Sequence, residues 1–512
     1  MARISLPTSA RPRDTERFLR GFESRLEKLD RAILLGDWNQ SIGRSSEGAT
    51  PWQLRRSRLL SDERILSWVR SARRRALSFP LHRRLELLER VLLDVQVEQQ
   101  PEVARLRSRA QARIHEYRPS WKGRRVNRAV VMRILYESPR ESDRRKAYYA
   151  FEPLYRPLEE GLRKLVELRN EKARTLGFRT MAEMHLGFAH LTSRRLQELS
   201  EATAQPARTH LRALREEFRD ATGQSGWHPW DLMYAQHRRA PLPDRLFPRR
   251  GMVPRIFAAL DQWGFRTDRM RFRVAFHDNP FGGMALAPDA PRDIRILALP
   301  MGGRLAYGIM FHEFGHAVHS SLLRVPSHLL RSERIPGFGA FHEGVGGLFE
   351  EIPTWESWLS RQPGVGAARA KEVARVSRET LPVLAAWHST FGRTEQALYE
   401  HPGRDPTPGV HRFERDVFGY DDFEPLSFVD AFYVESPVYV QSYLLSILFD
   451  EQIFRTLRDL YGEPLWPNRH VGPWLTRNWF APGLLYDWLP RVKEVTGRPF
   501  GAEAFRSAFG TH

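Results

Sequence analysis

Four stretches of this chain, 54–78, 82–118, 142–176 and 194–220, carry apolar residues at three- and four-residue spacing. That period builds one apolar face on a helix and does not suit a strand, so the N-terminal half reads as helix after helix. Pro51, Pro80, Pro119, Gly177 and Pro206 punctuate the run. A loop-rich stretch follows from about Gly226 to Gly251. The one persuasive strand region is 271–300. There Phe272, Val274 and Phe276 recur at every second position, and Ile294, Ile296 and Leu297 follow a Pro/Asp/Ala turn. Helical spacing returns from Gly303 to the end. The expected class is mainly α with a small antiparallel sheet. The 512 residues are 41% apolar, enough for a sizeable core, and no repeat divides them.

Composition removes several chemistries. Cysteine is absent, so disulfides, thiol nucleophiles, iron–sulfur clusters and thiolate-held zinc are excluded, and any metal must be held by His, Asp or Glu. No run of 18 apolar residues occurs, and the first 25 residues lack a signal-type apolar core. The expectation is a cytoplasmic protein with no membrane partner. The formal net charge is +19, from 80 basic and 61 acidic residues, and only seven of the basic residues are lysine. The arginines are spread along the chain, with short clusters at 73–75, 122–128 and 249–250. A nucleic-acid reader needs a basic stripe with interleaved aromatics; none is visible, so a nucleic-acid partner is not expected.

The chemistry is concentrated at 303–322, GRLAYGIMFHEFGHAVHSSL. His312, Glu313 and His316 form His-Glu-x-x-His. Residues four apart share a helix face, so both imidazoles can reach one ion, and Glu313 can touch a water beside it. Two neutral nitrogens on Zn²⁺ with an adjacent carboxylate base is what a zinc hydrolase needs. His319 falls on the same side, but three ligands from one helix fit tetrahedral zinc badly, so it reads as a core or supporting histidine. The third ligand must come from elsewhere. Downstream, 335–358 leads from a Gly-rich loop into an expected helix, with Glu343, Glu350 and Glu351 as candidates. Glu343 and Glu350 are seven apart and share a face.

These residues carry a resemblance. The chain is similar to the gluzincin zinc peptidases that include angiotensin-converting enzyme and the thimet-oligopeptidase family, in which HExGH is followed by a helix bearing a glutamate ligand. Phe341-His342-Glu343-Gly344 resembles the converting-enzyme Phe-His-Glu-Ala, 27 residues after His316. Phe349-Glu350-Glu351-Ile352-Pro353 instead resembles the thimet-type Phe-Val-Glu-x-Pro, at a longer gap. Glu343 is the favoured ligand and Glu351 the alternative. Where the family often has an acidic residue four after the ligand, this chain has Gly347; the group orienting a ligating His must then come from another residue, Glu350 being a candidate.

Further segments extend the likeness. Tyr439 to Ser446, YVQSYLLS, resembles the family segment whose tyrosine hydrogen-bonds the oxyanion, which implies that role for Tyr443 and a substrate-side place for Tyr439. The family's histidine some way before that tyrosine has no counterpart; Tyr433 stands near its place, so one donor is missing or replaced. Gly282 to Ala287, GGMALA, with Arg295 lying 17 residues before His312, resembles the edge strand on which these peptidases lay substrate, which implies backbone contacts from Gly283, Met284 and Ala285. Weaker matches lie at 37–39, at 167–178 (ELRNEKARTLGF) and at 484–495.

The resemblance implies two helical halves around a deep substrate cleft: 1–255 as lid and scaffold, 256–512 as catalytic half, interleaved in sequence, with the sheet beside the zinc helix. It implies one Zn²⁺ per chain on His312, His316 and Glu343, with Glu313 as base and Tyr443 as oxyanion donor. The expected function is hydrolysis of short peptides, as an oligopeptidase or a peptidyl-dipeptidase. The alternative is an inactive or basic nucleic-acid-binding protein with a vestigial His-Glu-x-x-His. Cleavage position, side-chain preference, oligomeric state and the arginine or lysine that grips a substrate carboxylate are not set by the sequence.

Overall fold

The computed structural model describes residues 6–7, 11–44, 48–75, 77–277 and 282–510. Helix accounts for 69% and strand for 4%, so the class is the expected one: mainly α with a small sheet. Among the described residues no helix is long and apolar enough to cross a membrane. The chain forms two compact units, each assembled from separate stretches: 1–100, 244–353 and 456–500 in the first, 101–243, 354–455 and 501–512 in the second.

The helical stretches appear where the period places them, cut where local chemistry dictates. The stretch 54–78, whose residue 76 lies outside the described residues, is two helices, Thr50–Leu60 and Glu63–Arg73. The second starts afresh because the Asp62 carboxylate accepts from the Arg64 N–H and caps it. The stretch 82–118 is broken before Pro101 into Phe79–Glu98 and Pro101–Glu116. In 142–176 the helix Glu141–Tyr148 gives way to short turns around Pro153 and Pro157 before the long helix Glu159–Thr175. Only 194–220 is continuous, as Ser193–Thr222, capped by the Thr192 hydroxyl and ended by Gly223 at φ +69°. The stretch read as loop-rich holds one short helix, Leu232–Arg239.

In the first unit, β1 (Phe272–Phe276), β2 (Gly283–Asp289) and β3 (Asp293–Ala298) form a sheet in the order β1–β3–β2; residues 278–281 of the expected strand region lie outside the described residues. β2 pairs with β3 antiparallel, and β1 joins the other side of β3 in parallel. β2 is therefore an edge. Trp38, from the helix Pro12–Ser41, packs behind it with Leu286 and Leu297. Arg295 lies on the central strand, where it ion-pairs with Asp293 and covers the Trp38 ring at 5.5 Å. It braces the sheet and is not on the edge.

Helix α1 (Arg304–Leu322) follows the sheet and α2 (Gly339–Glu350) packs against it. α1 buries Tyr307, Met310, Phe311, Phe314 and Val318, while α2 buries Phe341, Val345, Leu348 and Phe349. A helix apolar on most of its circumference must lie inside a unit.

The second unit has its own core. Phe218, Trp227 and Trp230 cluster there with Val383, Ala386, Phe418 and Tyr420. Within it the fully buried Arg144 pairs with Asp231, which also accepts from Gln224 at 3.0 Å. The long helix α3 (Ala367–Glu400) and the start of α4 (Gln441–Tyr461) belong to this unit.

Candidate metal centre

Two glycines set the distance between α1 and α2. A Cβ on Gly315 would lie 2.7 Å from the Val345 carbonyl oxygen and 3.2 Å from the Gly346 Cα. A Cβ on Gly346 would lie 2.4 Å from Cε1 and 2.5 Å from Nε2 of His312. Only glycine lets the backbones approach so closely and leaves the His312 ring its place.

That approach brings together three of the residues singled out in the sequence. His312 Nε2 lies 3.0 Å from His316 Nε2 and 3.5 Å from Glu343 Oε2. One ligand atom from each of His312, His316 and Glu343 falls within 4.8 Å of the others. Ligands about 2.1 Å from a tetrahedral zinc stand roughly 3.4 Å apart, so the spacing fits one such ion. Glu351 is the residue that ends α2, and it is not part of this grouping. Glu350 reaches back to His312, its Oε2 2.9 Å from Nδ1. A carboxylate on the far nitrogen fixes tautomer and ring orientation and turns Nε2 towards a metal.

The electrostatics also suit a cation. Burial pushes His316 well below the usual imidazole range, helped by His342, His312 and His319. Its neutral form is the ligand form. Burial alone would do the same to His312, but the carboxylates of Glu343 and Glu350 outweigh it and hold the ring well above that range. The pocket thus calls for positive charge between the imidazole and Glu343, which a divalent ion supplies. His316 Nδ1 is buried with no hydrogen-bond partner, and His342 stacks on that ring at 4.0 Å. His319 is buried between Phe341 and Phe480 at 5.4 Å from each, and burial takes its pKa down to about 3. It is a core histidine.

Glu313 is 9% exposed and lies against the edge strand. A Cβ on Gly283 would lie 2.9 Å from its Oε1, so a bare backbone is needed there as well. Its carboxyl is pushed up to about 7, chiefly by burial, with His312 and the Ala285 backbone hydrogen bond pulling the other way. The Gly282 carbonyl accepts from the Leu299 N–H. By antiparallel alternation, Gly283 and Ala285 then turn their N–H and C=O away from β3, towards α1, while Met284 turns its own into the ladder opposite Leu297. Met284 also packs against the Trp38 cluster. The backbone groups of the edge that turn away from the sheet are thus those of Gly283 and Ala285, with the Ala285 N–H taken by Glu313.

In the second unit, Tyr443 sits in an aromatic group. Its ring stacks on His388 at 5.1 Å and meets Phe432 at 5.8 Å and Tyr439 at 5.9 Å. Tyr433 is 1% exposed and its hydroxyl donates to the Phe391 carbonyl, so it is a core residue and no substitute for the missing histidine. His388, on α3, is the histidine that touches Tyr443. Nothing near it in sequence forms a motif, and only the fold reveals it. The Gly-rich run at 344–347 was the available sign of the helix approach, and the Ala285 backbone contact left none.

Fold and site together give a mainly helical protein carrying a His-Glu-x-x-His and glutamate cluster. No protein-family model matches the chain, and no curated protein matches it in sequence. Solved structures do. Trypanosoma cruzi metallocarboxypeptidase 1 matches 98% of this chain and 100% of its own at 15% identity, with a TM-score of 0.66. The M32 carboxypeptidase from Deinococcus radiodurans R1 matches 97% and 99% at 13% identity, TM-score 0.66. PZ peptidase A with inhibitor 2 matches 98% and 93% at 14% identity, TM-score 0.72. The fold runs the length of the chain and is shared with metallocarboxypeptidases. It is therefore not specific to the converting-enzyme and thimet group that the sequence resembles.

Proposed function

We propose that this protein is a zinc-dependent metallopeptidase that hydrolyses peptide bonds in short peptides. The observation that carries the reading is the convergence of His312 Nε2, His316 Nε2 and Glu343 Oε2 on one point, with buried Glu313 between that cluster and a strand edge. Zinc held by His312, His316 and Glu343 supplies Lewis acidity, lowering the pKa of a water and drawing negative charge. Glu350 orients His312 through Nδ1. Glu313, held by the Ala285 N–H, accepts the proton of the attacking water and passes it to the leaving nitrogen. Gly283 and the Ala285 carbonyl offer outward backbone groups to an extended peptide whatever its side chains. From sequence resemblance, Tyr443 donates to the tetrahedral oxyanion and Tyr439 borders the substrate.

Within that reaction the sequence resemblance favours internal cleavage of oligopeptides or release of C-terminal dipeptides. Two of the fold neighbours are carboxypeptidases, which adds release of single C-terminal residues. Product masses from one defined peptide distinguish the three. Glu313→Gln tests the reading: it should bind zinc and fold normally while kcat falls about 10²–10⁴-fold. Full peptidase activity in that variant would remove Glu313 from the mechanism.

A further inference from the structure

The turn that leads into Tyr439 and Tyr443 is strained. Val438 has φ +58°, a left-handed conformation that a β-branched residue adopts only under constraint. Two buried polar side chains grip the segment around it. Glu395, 2% exposed, accepts from the Val438 N–H through Oε1 at 2.6 Å, and its Oε2 has no hydrogen-bond partner. Arg169, with no exposed surface, donates to the carbonyls of Tyr433 at 2.7 Å and Val434 at 2.9 Å, the end of the short helix Ala431–Glu435. It also reaches the Tyr399 hydroxyl at 3.3 Å. On the far side of the turn, Gln441 donates to the Val438 carbonyl at 2.5 Å. Arg169 belongs to the 167–178 motif, which the proposed chemistry does not otherwise use. Glu395 lies two helical turns after His388, so one face of α3 touches the segment twice: His388 at the Tyr443 ring and Glu395 at the Val438 amide.

We propose that Glu395 and Arg169 are positioning residues: together they hold residues 433–438 in the strained turn from which Tyr439 and Tyr443 project. Neither touches the reacting atoms. The inference rests on the reading of Tyr443 as oxyanion donor. Glu395 acts as an acceptor for one amide that would otherwise relax out of the left-handed region. Its role therefore depends on an oxygen at that place and on the side chain at 438. Glycine adopts the same φ without strain, so Gly at 438 removes the need for the clamp.

The test uses the full-length, zinc-loaded protein, an internally quenched peptide and hydrogen exchange at the Val438 amide. Glu395→Ala should lower kcat about tenfold, the order set by one buried hydrogen bond, with little change in KM and with faster Val438 exchange. Glu395→Gln, which keeps an acceptor oxygen, should stay within about twofold of the parent. Adding Val438→Gly to Glu395→Ala should restore most of kcat. The proposal is overturned if Glu395→Ala is fully active, if Glu395→Gln is as damaged as the alanine, or if glycine fails to rescue. Should the alanine variant not fold, fast Val438 exchange in the parent protein overturns it directly. Tyr443→Phe separates the two layers. If it keeps full kcat, the tyrosine reading fails and this proposal with it. If it loses kcat and Glu395→Ala does not, the clamp alone fails.

Discussion

Gly346→Ala is the sharpest local perturbation the site offers. The new methyl carbon would start 2.4 Å from His312 Cε1 and 2.5 Å from Nε2, against an ordinary contact of 3.4–4 Å. Relief needs a shift of about 1 Å. His312 cannot take it up freely, because Nδ1 is held by Glu350 at 2.9 Å and Nε2 faces His316 at 3.0 Å. If α2 retreats instead, Glu343 goes with it. Ligand distances at zinc tolerate only about 0.2 Å, so either response breaks the ligand set. The expected loss is at least about 100-fold in zinc affinity, or about 2.7 kcal/mol. Gly308→Ala is the control. It lies on α1, and its methyl would meet only Glu350, at 3.9 Å. It should leave zinc binding unchanged and add about 0.5–1 kcal/mol of stability from helix propensity. Competition against a chromogenic chelator reads the affinity, and thermal unfolding reads the fold. A Gly346→Ala protein that binds zinc as tightly as its parent would refute the argument that this helix contact seats His312.

Further outcomes follow from the same geometry. Glu350→Ala removes the acceptor from His312 Nδ1 and should weaken zinc about tenfold without unfolding the protein, since that side chain is half exposed; chelator competition checks it. Tyr443→Phe should lower kcat about 10²-fold and leave KM nearly unchanged, as expected for a contact made in the transition state; steady-state kinetics on one quenched peptide decide. Asp30 links the N-terminal helix to His328 at 2.8 Å and Arg56 at 2.6 Å. Burial opposes its charge, but those partners outweigh it and hold the carboxyl at about 2. A pKa depressed from 3.8 to about 2 contributes about 2 kcal/mol that is present above pH 4 and lost as pH falls towards 2. Urea unfolding of Asp30→Asn should show that deficit at pH 6 and converge with the parent near pH 2; a constant difference across that range would contradict it.

Much of this was legible in the sequence because it follows from period and spacing. The three- and four-residue spacing gave the helices, and the alternation at 272–276 and 294–297 gave the strands around the edge. His312, Glu313 and His316 declare themselves because a helix turns four-residue spacing into a shared face. Glu343 came from resemblance and from the shared face with Glu350. What stayed hidden depends on contacts between segments distant in sequence. The parallel pairing of β1 with β3, the Ala285 N–H on Glu313, the Gly346 approach to His312, the His388 stack on Tyr443 and the Glu395 grip on Val438 leave no periodic trace. Proline breaks at 101, 153 and 157 were visible as residues, yet where each helix restarts depends on capping by neighbours such as Asp62.

The central claim is that His312, His316 and Glu343 hold a zinc ion that serves peptide hydrolysis. It is tested most directly by the metal content of the purified protein, measured beside cleavage of a short internally quenched peptide with and without chelator. The account predicts about one zinc per chain, activity lost to chelator and restored by added zinc, and neither zinc nor activity in His316→Ala. A folded protein that holds no zinc and cleaves nothing after zinc is supplied would contradict it.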